Sequence, residues 1–145
     1  MAESTLPRVL LVDDDPDLGR LVQHLLKAHG YDPARQVPTG REALAALDGI
    51  DIVLLDQQLP DTSGLEVLDA IRTRASPPAV VMVTGHGNES LVAVALRRGA
   101  DDYLAKDAAL TELLPQILER VRRGRELRKA LAAAEQDLVR AERLA

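Results

Sequence analysis

Four short apolar runs constrain this 145-residue chain more than any other feature: Val9 to Val12, Ile52 to Leu55, Ala79 to Val83 and Tyr103 to Ala105. Most lack the polar alternation of a half-exposed strand and so suit strands buried on both faces. Segments with helical spacing lie between them: Leu18, Leu21, Val22 and Leu25 after the first run, Leu65, Leu68 and Ile71 after the second, Leu91, Val94 and Ala95 after the third. Strand alternating with helix predicts a parallel α/β sheet. A weaker strand is expected over Tyr31 to Val37, and at a sheet edge, because Pro33 removes a ladder donor. Thr39-Gly40-Arg41-Glu42 is a capping box for a helix running to about Asp48, and Asn88 serves as the N-cap before Leu91. Five strands and five helices make a doubly wound, flavodoxin-like (βα)5 fold.

The tail behaves differently. Leu114, Ile117, Leu118 and Val121 can pack on the sheet, but the later apolar positions Leu127, Leu131, Ala134, Leu138, Ala141 and Ala145 alternate spacings of four and three, a heptad seam. Unbroken helix from Thr111 to Ala145 would span roughly 50 Å, more than one sheet can cover. A globular domain over residues 1–123 and a helical extension over 124–145 are expected, with Gly124 at the change of register. The seam offers a homodimer through a coiled coil. A solvated extension is the plainer alternative.

Composition narrows the chemistry. With no cysteine, disulfides, zinc-thiolate sites and thiol catalysis are excluded from these residues, and a metal would need oxygen ligands or the three scattered histidines. No apolar stretch approaches the roughly 20 residues of a membrane helix, and MAESTLPR has neither a basic nor an apolar leader region, so membrane insertion is not expected and a cytoplasmic location is. Residues 1–121 carry 11 basic and 19 acidic groups, net -8, whereas 122–145 carry 7 and 4, net +3. Such a body is a poor partner for nucleic acid.

Each apolar run is followed by a polar residue: Asp13 and Asp14, then Asp56, then Thr84, then Lys106. In a parallel sheet these ends share one edge, where ligands bind. Two like charges about 4 Å apart repel by roughly 4 kcal/mol at an effective dielectric near 20, so gathered carboxylates call for a shared cation. Carboxylates without sulfur or imidazole suit Mg²⁺, which keeps waters for a phosphate. A carboxylate is also a nucleophile that needs no deprotonation at neutral pH. Phosphoryl transfer asks mainly for positioning and charge neutralisation, which Mg²⁺, Lys106 and the Thr84 hydroxyl would supply. The absence of a strong general base points to a phosphoryl acceptor with slow turnover, not a fast hydrolase.

The acid pair after the first run, VLLDQQLPDTSGLEVL around Asp56, VMVTGHG around Thr84 and GADDYLAKD around Lys106 resemble the receiver domain of two-component response regulators, collinearly over residues 8 to about 123. The resemblance implies a bacterial phosphorelay switch. Asp56 would accept phosphate from a histidine kinase or phosphotransfer protein, and Asp13, Asp14, Asp56 and the Gln58 backbone carbonyl would hold Mg²⁺. Thr84 and Lys106 would bind the phosphoryl group, with Tyr103 the switch aromatic and Gln58 and His86 tuning dephosphorylation. The face of the fourth helix, fifth strand and fifth helix would then change partners. Two departures stand out: Asp107 follows Lys106 where the family usually has proline, leaving the peptide either trans or strained, and Gln57 and Gln58 follow Asp56.

Rival readings follow from the same residues. A haloacid-dehalogenase-type phosphatase would use Asp13 as nucleophile but leave Asp56 without a role. A receiver-like scaffold would work unphosphorylated through its tail. Asp15 and Asp17 read as helix-start acids beside Pro16, Asp101 and Asp102 as surface acids, and Arg122, Arg123 and Arg125 as a solvated face. The tail also resembles the linker before histidine-kinase dimerisation helices, which would make this the front of a longer hybrid protein; a stand-alone regulator is the other expectation.

Overall fold

Each of the four apolar runs becomes a strand in the computed structural model, which describes residues 6–85 and 89–144. In chain order the elements are β1 (Val9–Val12), α1 (Pro16–Ala28), β2 (Arg35–Val37), α2 (Gly40–Ala45), β3 (Ile52–Asp56), α3 (Gly64–Arg72), β4 (Ala79–Thr84), α4 (Glu89–Arg97), β5 (Asp102–Ala105) and α5 (Leu110–Leu144). The sheet is parallel in the order β2-β1-β3-β4-β5, so β2 lies at an edge. That strand is shorter than the expected span, beginning at Arg35 after Pro33. The result is the flavodoxin-like doubly wound arrangement.

Both sheet faces are buried, and side-chain alternation divides them. Val9, Leu11, Ile52, Leu54, Val81 and Leu104 pack with Leu18, Val22 and Leu25 of α1 and Leu114, Ile117, Leu118 and Val121 of α5. Leu10, Val12, Val53, Leu55, Val80 and Met82 pack on the other face with Ala43, Val67, Leu68, Ile71 and Ala95 of α2, α3 and α4. This two-sided coverage is why the strands read as continuous apolar runs. The helical spacing was less uniform in outcome. Leu21 of α1 is 37% exposed, and Ala95 is the buried residue of α4, with Leu91 and Val94 only half-buried.

Thr39 caps α2, its hydroxyl accepting from the Glu42 N–H at 3.1 Å, but the helix ends at Ala45, short of Asp48. Asp61 completes that cap from the β3–α3 loop, accepting from the Gly40 and Arg41 N–H groups at 2.8 and 3.0 Å. The expected cap Asn88 lies outside the described residues. Asp15 is the N-cap of α1, accepting from the Asp17 N–H at 2.9 Å.

Helix α5 runs unbroken through Gly124, so the extension continues the last helix of the body. Its last buried residue is Val121, and Leu127, Leu131 and Leu138 beyond it are 71%, 58% and 61% exposed. Two surface readings need correction. Asp101 and Asp102 are half-buried: Asp101 Oδ2 accepts from the Val80 N–H at 2.8 Å, and Asp102 pairs with Arg120 at 2.9 Å. Arg122 and Arg125 are not freely solvated, since Arg122 pairs with Glu119 and Glu126 and Arg125 donates to the Pro77 carbonyl at 3.1 Å.

Candidate functional site

Register sets the site. Val12 is aligned with Leu55 and Asp56 with Val83, so Asp13 and Asp56 leave neighbouring strands side by side, and Thr84, aligned with Ala105, precedes the position from which Lys106 departs. Asp13, Asp14, Asp15, Asp56, Gln57, Gln58, Gly85 and Lys106 line one cleft at this edge. One carboxylate oxygen from each of Asp13, Asp14 and Asp56 lies within 4.8 Å of the others. Asp13 and Asp14, Asp56, Thr84 and Lys106, from four chain-distant strand ends, thus reach a single edge.

Burial grades the acids. Asp13 is 1% exposed and Asp56 7%, whereas Asp14 is exposed. Lys106 Nζ lies 2.7 Å from Asp13 Oδ2 and 3.1 Å from Asp56 Oδ1. Burial pushes the Asp56 carboxyl above the ordinary aspartate range, the Asp13 charge pushes it further, and Lys106 and the Gln58 N–H pull back only in part. Burial opposes charge on Lys106 as well, but its two carboxylate partners outweigh that and hold its pKa above the ordinary lysine value. Asp13 Oδ1 accepts from the Asp15 N–H at 2.9 Å, while buried Oδ2 has the ion pair but no aligned hydrogen bond. A buried carboxylate oxygen with unused lone pairs beside two more carboxylates fits a hard divalent cation.

The loops are built to hold this geometry. The Lys106 N–H donates to the Thr84 carbonyl at 2.8 Å, fixing the start of the lysine loop against β4. The Lys106–Asp107 peptide is trans, as are all peptides among the described residues. Asp107 uses what proline lacks: its N–H donates to the Ala105 carbonyl at 2.9 Å, and its carboxylate accepts from the Ala109 N–H at 2.9 Å. The departure from proline is thereby compensated by two hydrogen bonds.

Gln57, Gly64 and Gln36 also organise the site. Gln57 Oε1 accepts from the Leu65 N–H at 3.0 Å, tying the loop after Asp56 to the start of α3. Gly64 must be small there, because a Cβ would come within 2.4 Å of the Asp56 carbonyl oxygen. Gln36 of the edge strand donates through Nε2 to the Asp13 and Asp15 carbonyls at 2.9 and 3.0 Å, clamping the acidic loop. Nothing local marks Gln36 in the sequence, since its partners are 23 and 21 residues away.

Thr84 ends β4 and is buried at 3% exposure. Gln58 sits in the cleft and bridges to Ser63. Tyr103 lies outside the cleft, 46% exposed on the edge strand β5, and His86 falls outside the described residues.

Comparison with known proteins agrees with this architecture. The response regulator receiver domain family matches residues 9–118. The sensory transduction protein RegX3 of Mycobacterium tuberculosis is 42% identical over 118 residues, 80% of this chain and 51% of that protein. The receiver domain of NtrX from Brucella abortus superposes with a TM-score of 0.71 at 34% identity, covering 78% of this chain and 96% of that one. A response regulator receiver domain protein from Clostridium thermocellum gives a TM-score of 0.75 at 25% identity, covering 84% and 98%. The chain spans about half the length of the curated relatives it matches. With fold, strand order and sequence in agreement over the whole α/β body, the chain belongs to the response regulator receiver domain family.

Proposed function

We propose that this protein is a phosphorylation-dependent switch whose phosphoacceptor is Asp56, with a phosphohistidine of a histidine kinase or phosphotransfer protein as donor. The observation that carries the reading is the position of Lys106 Nζ, 2.7 Å from Asp13 Oδ2 and 3.1 Å from Asp56 Oδ1. A cation so placed can neutralise charge on a phosphoryl oxygen next to the acceptor carboxylate. An Asp56 oxygen attacks phosphorus as the P–N bond to the donor imidazole breaks, leaving the imidazole nitrogen with the electron pair. Asp13, Asp14, Asp56 and the Gln58 carbonyl would hold Mg²⁺, which supplies further neutralisation when bound. Lys106 and the Thr84 hydroxyl orient the phosphoryl group. Gln58 and His86 set access of water to it and hence its lifetime. Self-phosphorylation and dephosphorylation are expected to be slow, as the described residues lining the cleft provide no strong base for water.

Tyr103 would turn inward as Thr84 engages the phosphoryl group. Leu96, Tyr103 and Leu113, exposed at 43%, 46% and 41% on α4, β5 and α5, supply an apolar face whose partners that motion would change. The domain division at residue 123 and a homodimer through α5 belong to the same reading: Leu127, Leu131 and Leu138 leave the seam open to a second copy, and Leu131→Glu should reduce the sedimentation mass. The strongly acidic body argues against direct nucleic-acid binding. No described helix is long and apolar enough to cross a membrane, and we assign the switch to the cytoplasm.

The phosphatase alternative would require Asp13 to attack, but Asp13 is 1% exposed, with Oδ1 tied to the Asp15 N–H and Oδ2 to Lys106. Incubation with Mg²⁺ and acetyl phosphate, followed by mass mapping, separates the readings. Label on Asp56 that disappears in Asp56→Asn supports the switch. Label on Asp13 with rapid turnover would support the phosphatase, and no label the scaffold.

A further inference from the structure

A second polar cleft, of ≈ 480 Å³, opens at the other end of the sheet, where β4 begins and α5 leaves the body. Arg72 and Ser76 line it from the α3–β4 side, Asp101 from the turn before β5, and Arg125, Arg128 and Lys129 from α5. Four cations against one carboxylate give a formal charge of +3 (4 minus 1), on a body that is otherwise acidic. Asp101 cannot neutralise this ring. Its Oδ2 is engaged by the Val80 N–H at 2.8 Å, and Oδ1 meets Arg128 at a long 3.4 Å.

Arg125 and Arg72 each meet a backbone neighbour and keep donors to spare. Arg125 spends one N–H on the Pro77 carbonyl at 3.1 Å. Arg72 lies across Gly99, so that a Cβ there would stand 2.9 Å from its Nε. Among the described residues, neither Arg72 nor Lys129 has an acidic partner. Guanidinium groups match phosphate oxygens with paired donors, and like charges gathered this closely are stabilised by a shared counter-ion.

We propose that this cleft binds a phosphate-class polyanion, a polyphosphate chain either free or carried by a nucleotide. It would bridge Arg72 of the body to Arg128 and Lys129 of the extension. The bridge spans Gly124, the residue least committed to helix in this part of α5, so an occupied cleft fixes the direction in which the extension leaves the body. The site is independent of Asp56 and lies at the opposite sheet edge.

The test is calorimetric titration of the 145-residue chain with inorganic triphosphate and with ATP in divalent-free buffer, where the acidic edge repels both. One saturable site is expected. It should weaken by about tenfold or more in Arg72→Ala/Lys129→Ala, as loss of two charge-assisted contacts implies, and tighten in Asp101→Asn. Arg140→Ala/Arg143→Ala removes the same charge farther along the tail and should leave affinity unchanged. Equal affinity for the two ligands identifies the phosphate chain as the recognised group, and tighter ATP binding adds the nucleoside. Hydrogen exchange over residues 122–131 should slow on binding. No saturable binding, or equal losses in the two double variants, would overturn the proposal.

Discussion

Lys106 and Asp13 form the closest ion pair at the acidic edge, 2.7 Å between Nζ and Oδ2, although 93 residues separate them in sequence (106 minus 13). The lysine thus stands where a cation is needed whether or not a metal is bound. Lys106→Met should destabilise the divalent-free protein by about 2 kcal/mol, less than for a fully buried pair because the lysine is 28% exposed. Millimolar Mg²⁺ should restore most of the loss. Urea unfolding with and without Mg²⁺ measures both effects, and an unchanged midpoint in Lys106→Met would contradict the pairing.

Asp56 is held in a form that disfavours its own charge, through burial first and the Asp13 charge second. A raised folded-state pKa means that stability is greatest with the group protonated, below the ordinary value of 3.8, and falls as pH rises through the folded value. Asp56→Asn should therefore stabilise the divalent-free protein at pH 7 by about 1 kcal/mol. The gain should shrink as pH is lowered through that window, and denaturant unfolding across pH reads it directly.

Gln36 holds the Asp13 and Asp15 carbonyls without touching the carboxylates. Removing these two hydrogen bonds in Gln36→Ala is expected to loosen the acidic loop and weaken Mg²⁺ binding by about fivefold, with a similar modest loss of stability. Titration by NMR shifts of the loop amides gives the affinity. Unaltered Mg²⁺ binding alongside lowered stability would reduce Gln36 to a purely structural role.

Tyr103 offers a spectroscopic handle, because the chain contains no tryptophan and this ring is 46% exposed. Tyr103→Trp should emit as a solvated indole and shift to the blue when Mg²⁺ and acetyl phosphate are added. Phosphorylation of Asp56 without a spectral change would rule out the inward turn.

Gly124 lies inside α5 with nothing within 4 Å of its Cβ position. Gly124→Ala should stabilise the extension by about 1 kcal/mol, the usual difference between these residues within a helix. Slower hydrogen exchange on the C-terminal side of residue 124 would register the change.

The strands, their burial on both faces and the carboxylates that follow them are legible in the sequence, because each signal is local: an apolar run, a period, a residue just past a strand end. The sequence carried Asp13, Asp14, Asp56, Thr84 and Lys106 to one edge through topology alone, since parallel strands must end together. Tertiary structure decided what has no local mark. Gln36 and Gln57 found their partners across loops, Asp101 and Asp102 became half-buried acceptors in place of surface acids, and α2 stopped at Ala45. The peptide before Asp107 was settled by hydrogen bonds to Ala105 and Ala109 that only the folded turn creates. Periodicity tells which face a helix buries, but distance across the fold decides which polar atoms are left to meet.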